Sequence, residues 1–104
     1  MPMELEKIRN EITLVQTCWA CPAQWDAFYN KKMVGYIRFG GGYVSVECPD
    51  VGGELVYSMQ TEDRMQGMFY TDAEENAFLS KALDSIAGWV GRNRMPPEIP
   101  KEDE

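Results

Sequence analysis

Met33-Val34-Gly35-Tyr36-Ile37-Arg38-Phe39-Gly40-Gly41-Gly42-Tyr43-Val44-Ser45-Val46-Glu47-Cys48 decides the fold. Two runs rich in β-branched and aromatic residues flank three glycines. Glycine reaches positive φ without a steric penalty, so the pattern reads as a β-hairpin. Working outward, Asn30-Lys31-Lys32 is a polar turn, and the aromatic run Gln24 to Tyr29 before it is a further strand. Pro49-Asp50-Val51-Gly52-Gly53 is a turn on the other side, followed by Glu54 to Gln60 with Leu55, Tyr57 and Met59 expected on one face. Glu11 to Thr17 alternates, with Ile12 and Leu14 on one face and Thr13 and Val15 on the other. Cys18 to Pro22 is a break or bulge, and proline, lacking an amide donor, belongs there at an edge or corner. Glu4 to Asn10 fits either a short helix or an extended lead-in.

Residues 61 to 70 form a polar, methionine-rich loop. Thr71-Asp72-Ala73-Glu74 then gives a capping box, with Thr71 as N-cap and Glu74 at the third helical position. Asp72, Glu74 and Glu75 fall where a helix dipole favours anions. Leu79, Leu83, Ile86 and Val90 recur at helical spacing, widened by Phe78, Ala82 and Trp89, so the helix is expected from Thr71 to Gly91. Met95-Pro96-Pro97 stops it. The expected class is α+β: an antiparallel sheet of four or five strands packed against one C-terminal helix. Residues 1–95 make a single domain, and 96–104 a flexible acidic tail.

The 104 residues carry 10 bases, 17 acids and no histidine, for a net charge of −7. Without histidine there is no Ser-His-Asp triad, no Cys-His dyad and no HExxH zinc site. No pair of carboxylates has a spacing that implies acid/base work, so no enzymatic activity and no cofactor are expected. No apolar run is long enough to span a membrane, and Met1 to Glu6 does not read as a secretory signal. An odd number of cysteines in that setting points to a reducing, cytoplasmic location.

The charge is concentrated. Residues 47–75 hold eight acids against the single base Arg64, which equals the net charge of the whole chain. Such a window repels nucleic acid, whose binding requires neutralised phosphates. It attracts and steers a basic protein surface. Glu47, Asp50, Glu54, Glu62 and Asp63 are the expected contact charges. The plainer reading is a solvated acidic face, part of which serves the helix start.

Two other constellations have chemical readings. Trp25, Tyr36, Arg38, Lys31 and Lys32 interleave aromatics with bases. They could hold a nucleotide signal, the rings on the base and the cations on the phosphates, or the rings could simply fill the core. Cys18-Trp19-Ala20-Cys21 is a C-x-x-C, with Cys48 a third thiol. A zinc site would still need a fourth ligand such as Asp50, water or a second chain, and a redox site lacks the βαβ context. Structural thiols are the simplest reading, with no metal.

Cys18-Trp19-Ala20-Cys21-Pro22, Gln24-Trp25-Asp26, Val34-Gly35-Tyr36-Ile37-Arg38, Gly42-Tyr43, and Val46-Glu47-Cys48-Pro49-Asp50 with Gly52-Gly53-Glu54 together resemble a set of short acidic proteins. That set belongs to phages, prophages and mobile elements of Gram-positive gut bacteria. The resemblance covers Thr17 to Tyr57. It implies an anti-defence role, most plausibly an anti-CRISPR inhibitor whose partner is a host nuclease complex such as Cas9 with a basic groove. A homodimer is compatible with it. Hairpins of that set carry Leu-Arg-x-x-Gly with further arginine or histidine. Here the segment reads Ile37-Arg38-Phe39-Gly40-Gly41-Gly42 and lacks those extra groups.

Overall fold

The computed structural model describes residues 3–20 and 22–93. Helix α1 (Met3–Asn10) leads into five strands, β1 (Thr13–Trp19), β2 (Ala23–Tyr29), β3 (Lys32–Gly40), β4 (Tyr43–Cys48) and β5 (Glu54–Gln60), and then helix α2 (Asp72–Asn93). The strands form one antiparallel sheet in the order β1-β2-β3-β4-β5. The class is α+β, as the alternation and turn chemistry require. The Glu4 to Asn10 segment, open between two readings, is helical. The expected tail, 96–104, lies outside the described residues, as do Cys21 and Met95-Pro96-Pro97.

The turns follow from their residues. Asn30 and Lys31 take φ of 54° and 67°, and Gly41 and Gly42 take 61° and 73°. Two consecutive positive φ values match the right-handed twist of a hairpin. Gly42 is needed for a second reason. A Cβ there would stand 2.5 Å from the Asp63 carbonyl oxygen and 2.7 Å from the Arg64 Cα.

Helix α2 covers one face of the sheet, and α1 packs against α2. The register aligns Gln16, Trp25, Ile37, Val46 and Tyr57 across all five strands on the helix side. Phe78, Ala82, Ile86, Ala87, Trp89 and Val90 of α2 are buried there. Leu79 and Leu83 are half-buried at the margin, so the buried stripe sits one residue round from its expected centre. Helix α1 packs antiparallel on α2: a Cβ on Gly91 would touch Leu5, and the Arg9 Nε donates to Asp84 Oδ1 at 2.6 Å. The opposite sheet face carries Gln24, Asp26, Tyr36, Arg38, Ser45 and Glu47, none of them fully buried.

One strand departs from its alternation. A bulge between Val46 and Glu47 on the β4–β5 ladder pairs Tyr57 with Val46 but Leu55 with Glu47. Leu55 therefore shares the open face with Glu47 and is exposed, while Tyr57 and Met59 stay on the helix side. The extra residue, Val56, inverts the parity of everything before it.

The two turn glycines give a test. Gly41→Ala meets nothing closer than the Arg64 carbonyl at 4.0 Å, so it should cost only the left-handed strain of about 1–2 kcal/mol. Gly42→Ala adds a backbone collision and should cost at least ~1–3 kcal/mol more. Chemical denaturation of the two variants measures the difference, and equal costs would mean that the 61–71 segment does not press on the hairpin.

Candidate functional site

The segment from Thr61 to Thr71 crosses one end of the sheet, where the β1–β2 connection and the β3–β4 hairpin tip also lie. Backbone hydrogen bonds fix it there. Thr61 N donates to Gly42 O at 2.7 Å, Gly42 N to Gln66 O at 2.8 Å, and Ala23 N to Gly67 O at 3.0 Å. The amide side chain of buried Gln66 donates to Met68 O at 2.9 Å. A single aromatic anchors the segment to the core. The Phe69 ring lies 4.6 Å from Phe39, 5.4 Å from Phe78 and 6.3 Å from Trp25, centroid to centroid. With Phe69 turned in, its neighbours turn out: Tyr70 is 62% exposed, Met65 85%, and Met68 is exposed too.

Carboxylates order the rest of the loop. Asp63 accepts from Met65 N at 2.9 Å and from the Tyr70 hydroxyl at 3.0 Å. Thr71 Oγ1 accepts from Glu74 N at 3.1 Å, the N-cap bond read from sequence. Glu74 returns not to Thr71 but one residue earlier, accepting from Tyr70 N at 3.2 Å. The cap thus ties the last loop residue to the first turn of α2.

Two concavities flank the anchor. The larger, about 520 Å³, lies between β5 and α2, with Tyr57, Met59, Phe69 and Phe78 as apolar wall. Glu62, Asp63 and Glu74 also line it, against the single cation Lys81. The smaller, about 330 Å³, brings Trp19 and Met68 together with Asp72 and Glu75. Trp19 is 73% exposed. This end of the molecule therefore combines exposed tryptophan, tyrosine and methionine with five carboxylates. Sequence reasoning missed its apolar half. The methionine-rich loop was the available signal, but Trp19 had no mark separating it from core aromatics.

The five expected contact charges do not form one patch. Glu62 and Asp63 sit at the loop end. Glu47, Asp50 and Glu54 sit at the opposite end of β5, which is seven residues or about 20 Å long. There they serve local structure: Glu47 accepts from Gly52 N at 2.9 Å, Asp50 from Val51 N at 2.6 Å, and Glu54 lies 3.7 Å from Arg92.

The nucleotide constellation is divided as well. Trp25 is buried on the helix face against Phe69. Tyr36 and Arg38 belong to the other face, where the Gln24 side chain donates to the Tyr36 hydroxyl at 2.8 Å. Partial burial raises the Tyr36 pKa above its usual 10, while Arg38 pulls it down. Lys31 and Lys32 lie at the far turn, about 20 Å of strand from Arg38. These residues cannot close on one base and its phosphates.

Cys18 is on β1 and Cys48 on β4, with β2 and β3 between them, a gap of about 14 Å at normal strand spacing. One zinc ion holds thiolates about 2.3 Å from itself, so these two cannot share it. Among the described residues no cluster of three His, Cys, Asp or Glu side chains has metal-binding geometry. Also among the described residues, no helix is long and apolar enough to cross a membrane. Comparison with protein-family models, curated proteins and solved structures finds no match.

Cys48 is fully buried, and burial, with help from Glu54, pushes its thiol up to about 12. An unfolded cysteine loses its proton near 8.5. The folded state therefore holds a proton that the unfolded chain releases, so this contribution to stability is complete below about pH 8.5 and is lost as pH rises toward 12. Cys48→Ala should flatten the decline in unfolding free energy between pH 9 and 11 relative to wild type. Native Cys48 should also resist thiol reagents until the protein unfolds; rapid native labelling at Cys48 would contradict its placement.

Proposed function

We propose that this protein is a non-enzymatic docking protein of the anti-defence type. In this reading it covers a basic nucleic-acid-binding surface of a host nuclease complex, such as Cas9, in the bacterial cytoplasm. The observation that carries the reading is the coincidence, at one end, of five carboxylates with exposed Trp19, Met68 and Tyr70 beside an apolar groove. Tryptophan, tyrosine and methionine are enriched at protein interfaces, where a few such anchors supply most of the binding energy. The carboxylates supply what the anchors lack: long-range attraction to a basic surface and rejection of phosphates. Glu62 and Asp63 are the contact charges of this reading, and Glu47, Asp50 and Glu54 are structural.

A nucleotide sponge is the weaker reading. Trp25 lies on the opposite face from Tyr36 and Arg38, and Lys31 and Lys32 lie at the opposite end of β3 from Arg38. The groove that could take a small molecule offers three carboxylates against one lysine, which disfavours a polyanion.

Three variants test the proposal in DNA-cleavage assays with a panel of nuclease complexes. Trp19→Ala should weaken inhibition by about 30-fold or more, the effect of an interface anchor. Glu62→Gln with Asp63→Asn should weaken it about tenfold, chiefly through a slower on-rate that converges with wild type at high salt. Glu47→Gln with Asp50→Asn and Glu54→Gln should leave inhibition unchanged. The proposal fails if wild type inhibits nothing in the panel, or if the third variant loses as much as the second.

A further inference from the structure

Strand β5 is an edge of the sheet. Among the described residues it pairs only with β4. Edges are normally blunted by proline, lysine or a bulge. The other edge, β1, carries a bulge between Gln16 and Cys18. β5 has no proline and no base, and its bulge lies near its start, so Tyr57 to Gln60 remains a regular edge.

Direction can be assigned to its backbone groups. Thr61 N donates to Gly42 O, toward β4. Backbone groups alternate along a strand, so Tyr57 and Met59 also turn toward β4, while Ser58 and Gln60 offer their N–H and C=O outward. The side chains of Tyr57 and Met59, in turn, line the apolar groove under α2. A sixth strand laid on this edge would bond to Ser58 and Gln60, and every second side chain would enter that groove. Edge and groove are adjacent, and one extended segment satisfies both.

Charge selects the occupant. Glu54 begins the edge, and Glu62, Asp63 and Glu74 surround its end, with Lys81 the single cation lining the groove. A second copy of β5 would bring the same carboxylates against these and be repelled. A segment with apolar side chains at the groove-side positions beside Tyr57 and Met59, and lysine or arginine at the groove-side positions beyond them, fills the groove and brings its bases to the carboxylates that line its end.

We infer that β5 accepts a basic, extended segment of a partner protein by strand addition, with its apolar side chains in the groove between β5 and α2. This names the element of the partner that the proposed docking function engages, and it rests on that reading only for the partner's biological identity. Strand addition of this kind takes affinity from main-chain bonds and specificity from pockets for alternate side chains.

Three synthetic octapeptides test it against the full chain: one with valine at two groove-side positions, lysine at the other two and threonine between them; the same sequence N-methylated at the amides that would face β5; and the same sequence with glutamate in place of lysine. Binding is followed by amide exchange and chemical shifts in NMR. The lysine–valine peptide should bind and slow exchange at Ser58 and Gln60 at least tenfold, and the other two should not. Ser58→Pro, which removes an outward donor, should weaken binding about 3- to 10-fold. If that variant is misfolded, the N-methylated peptide carries the same test on the wild-type chain. Glu62→Gln with Asp63→Asn should weaken the lysine–valine peptide as well. Strand addition is overturned if the N-methylated peptide binds as tightly without protecting Ser58 and Gln60, or if the lysine–valine peptide does not bind. The first of these outcomes leaves the acidic docking end intact. Protection of Ser58 and Gln60 by the peptide, in a chain that inhibits no nuclease, would retain strand addition and remove the nuclease as partner.

Discussion

The packing of Phe69 against Phe39, Phe78 and Trp25 holds the acidic end together. This one side chain ties β2, β3, the 61–71 segment and α2 into a single aromatic cluster, extended to β5 by Tyr57 against Phe78 at 5.7 Å. Removing a buried phenylalanine costs about 3–5 kcal/mol, a large share of the ~5–15 kcal/mol by which a small domain is stable. The cost here would fall unevenly. The loop's backbone bonds to Gly42 and Ala23, and the Glu74–Tyr70 bond, all lie in the segment that Phe69 anchors. Core packing and site geometry therefore rest on the same contact.

The period of two along each strand then sorts the chemistry. Trp25 and Arg38 look like partners when the sequence is read linearly. In the sheet Trp25 pairs with Ile37 and Arg38 with Gln24, so the two point to opposite faces. Leu55 shows the same rule acting through an irregularity. The strand limits Tyr43–Cys48 and Glu54–Gln60, the glycine hairpin and the Thr71 cap were all legible, because each depends on local residue chemistry. The bulge was not. Nothing in Glu54-Leu55-Val56-Tyr57 distinguishes a straight strand from one with an extra residue; the choice belongs to the whole ladder and the core it must bury.

The charge window was legible in sequence, but its division in space was not. Residues 47–75 begin at one end of the molecule and finish at the other, because β5 carries the chain across the sheet between them. At the first end the carboxylates meet backbone amides and Arg92, with Lys31 and Lys32 at a neighbouring turn, so charges of both signs are mixed. At the loop end Glu62, Asp63, Asp72, Glu74 and Glu75 gather around the two concavities, against Arg64 in the loop and Lys81 on α2. Among the described residues five carboxylates are gathered at the loop end, and in the proposed docking these would draw a basic surface toward it.

That attraction matters because the apolar anchors act only at short range. Exposed Trp19, Met68 and Tyr70 gain binding energy when they are desolvated against a complementary surface, and they exert no pull on a partner a Debye length away, about 8 Å in physiological salt. The carboxylates act over that distance but contribute little once solvated. In the proposed docking, having both sets at one end would let the carboxylates bring the anchors into register. The edge of β5 left open among the described residues reaches the same end, and in the inferred strand addition its backbone groups would add the directional bonds that neither charge nor apolar area provides. Long-range steering, short-range burial and fixed hydrogen-bond geometry thus converge where Phe69 fixes the loop.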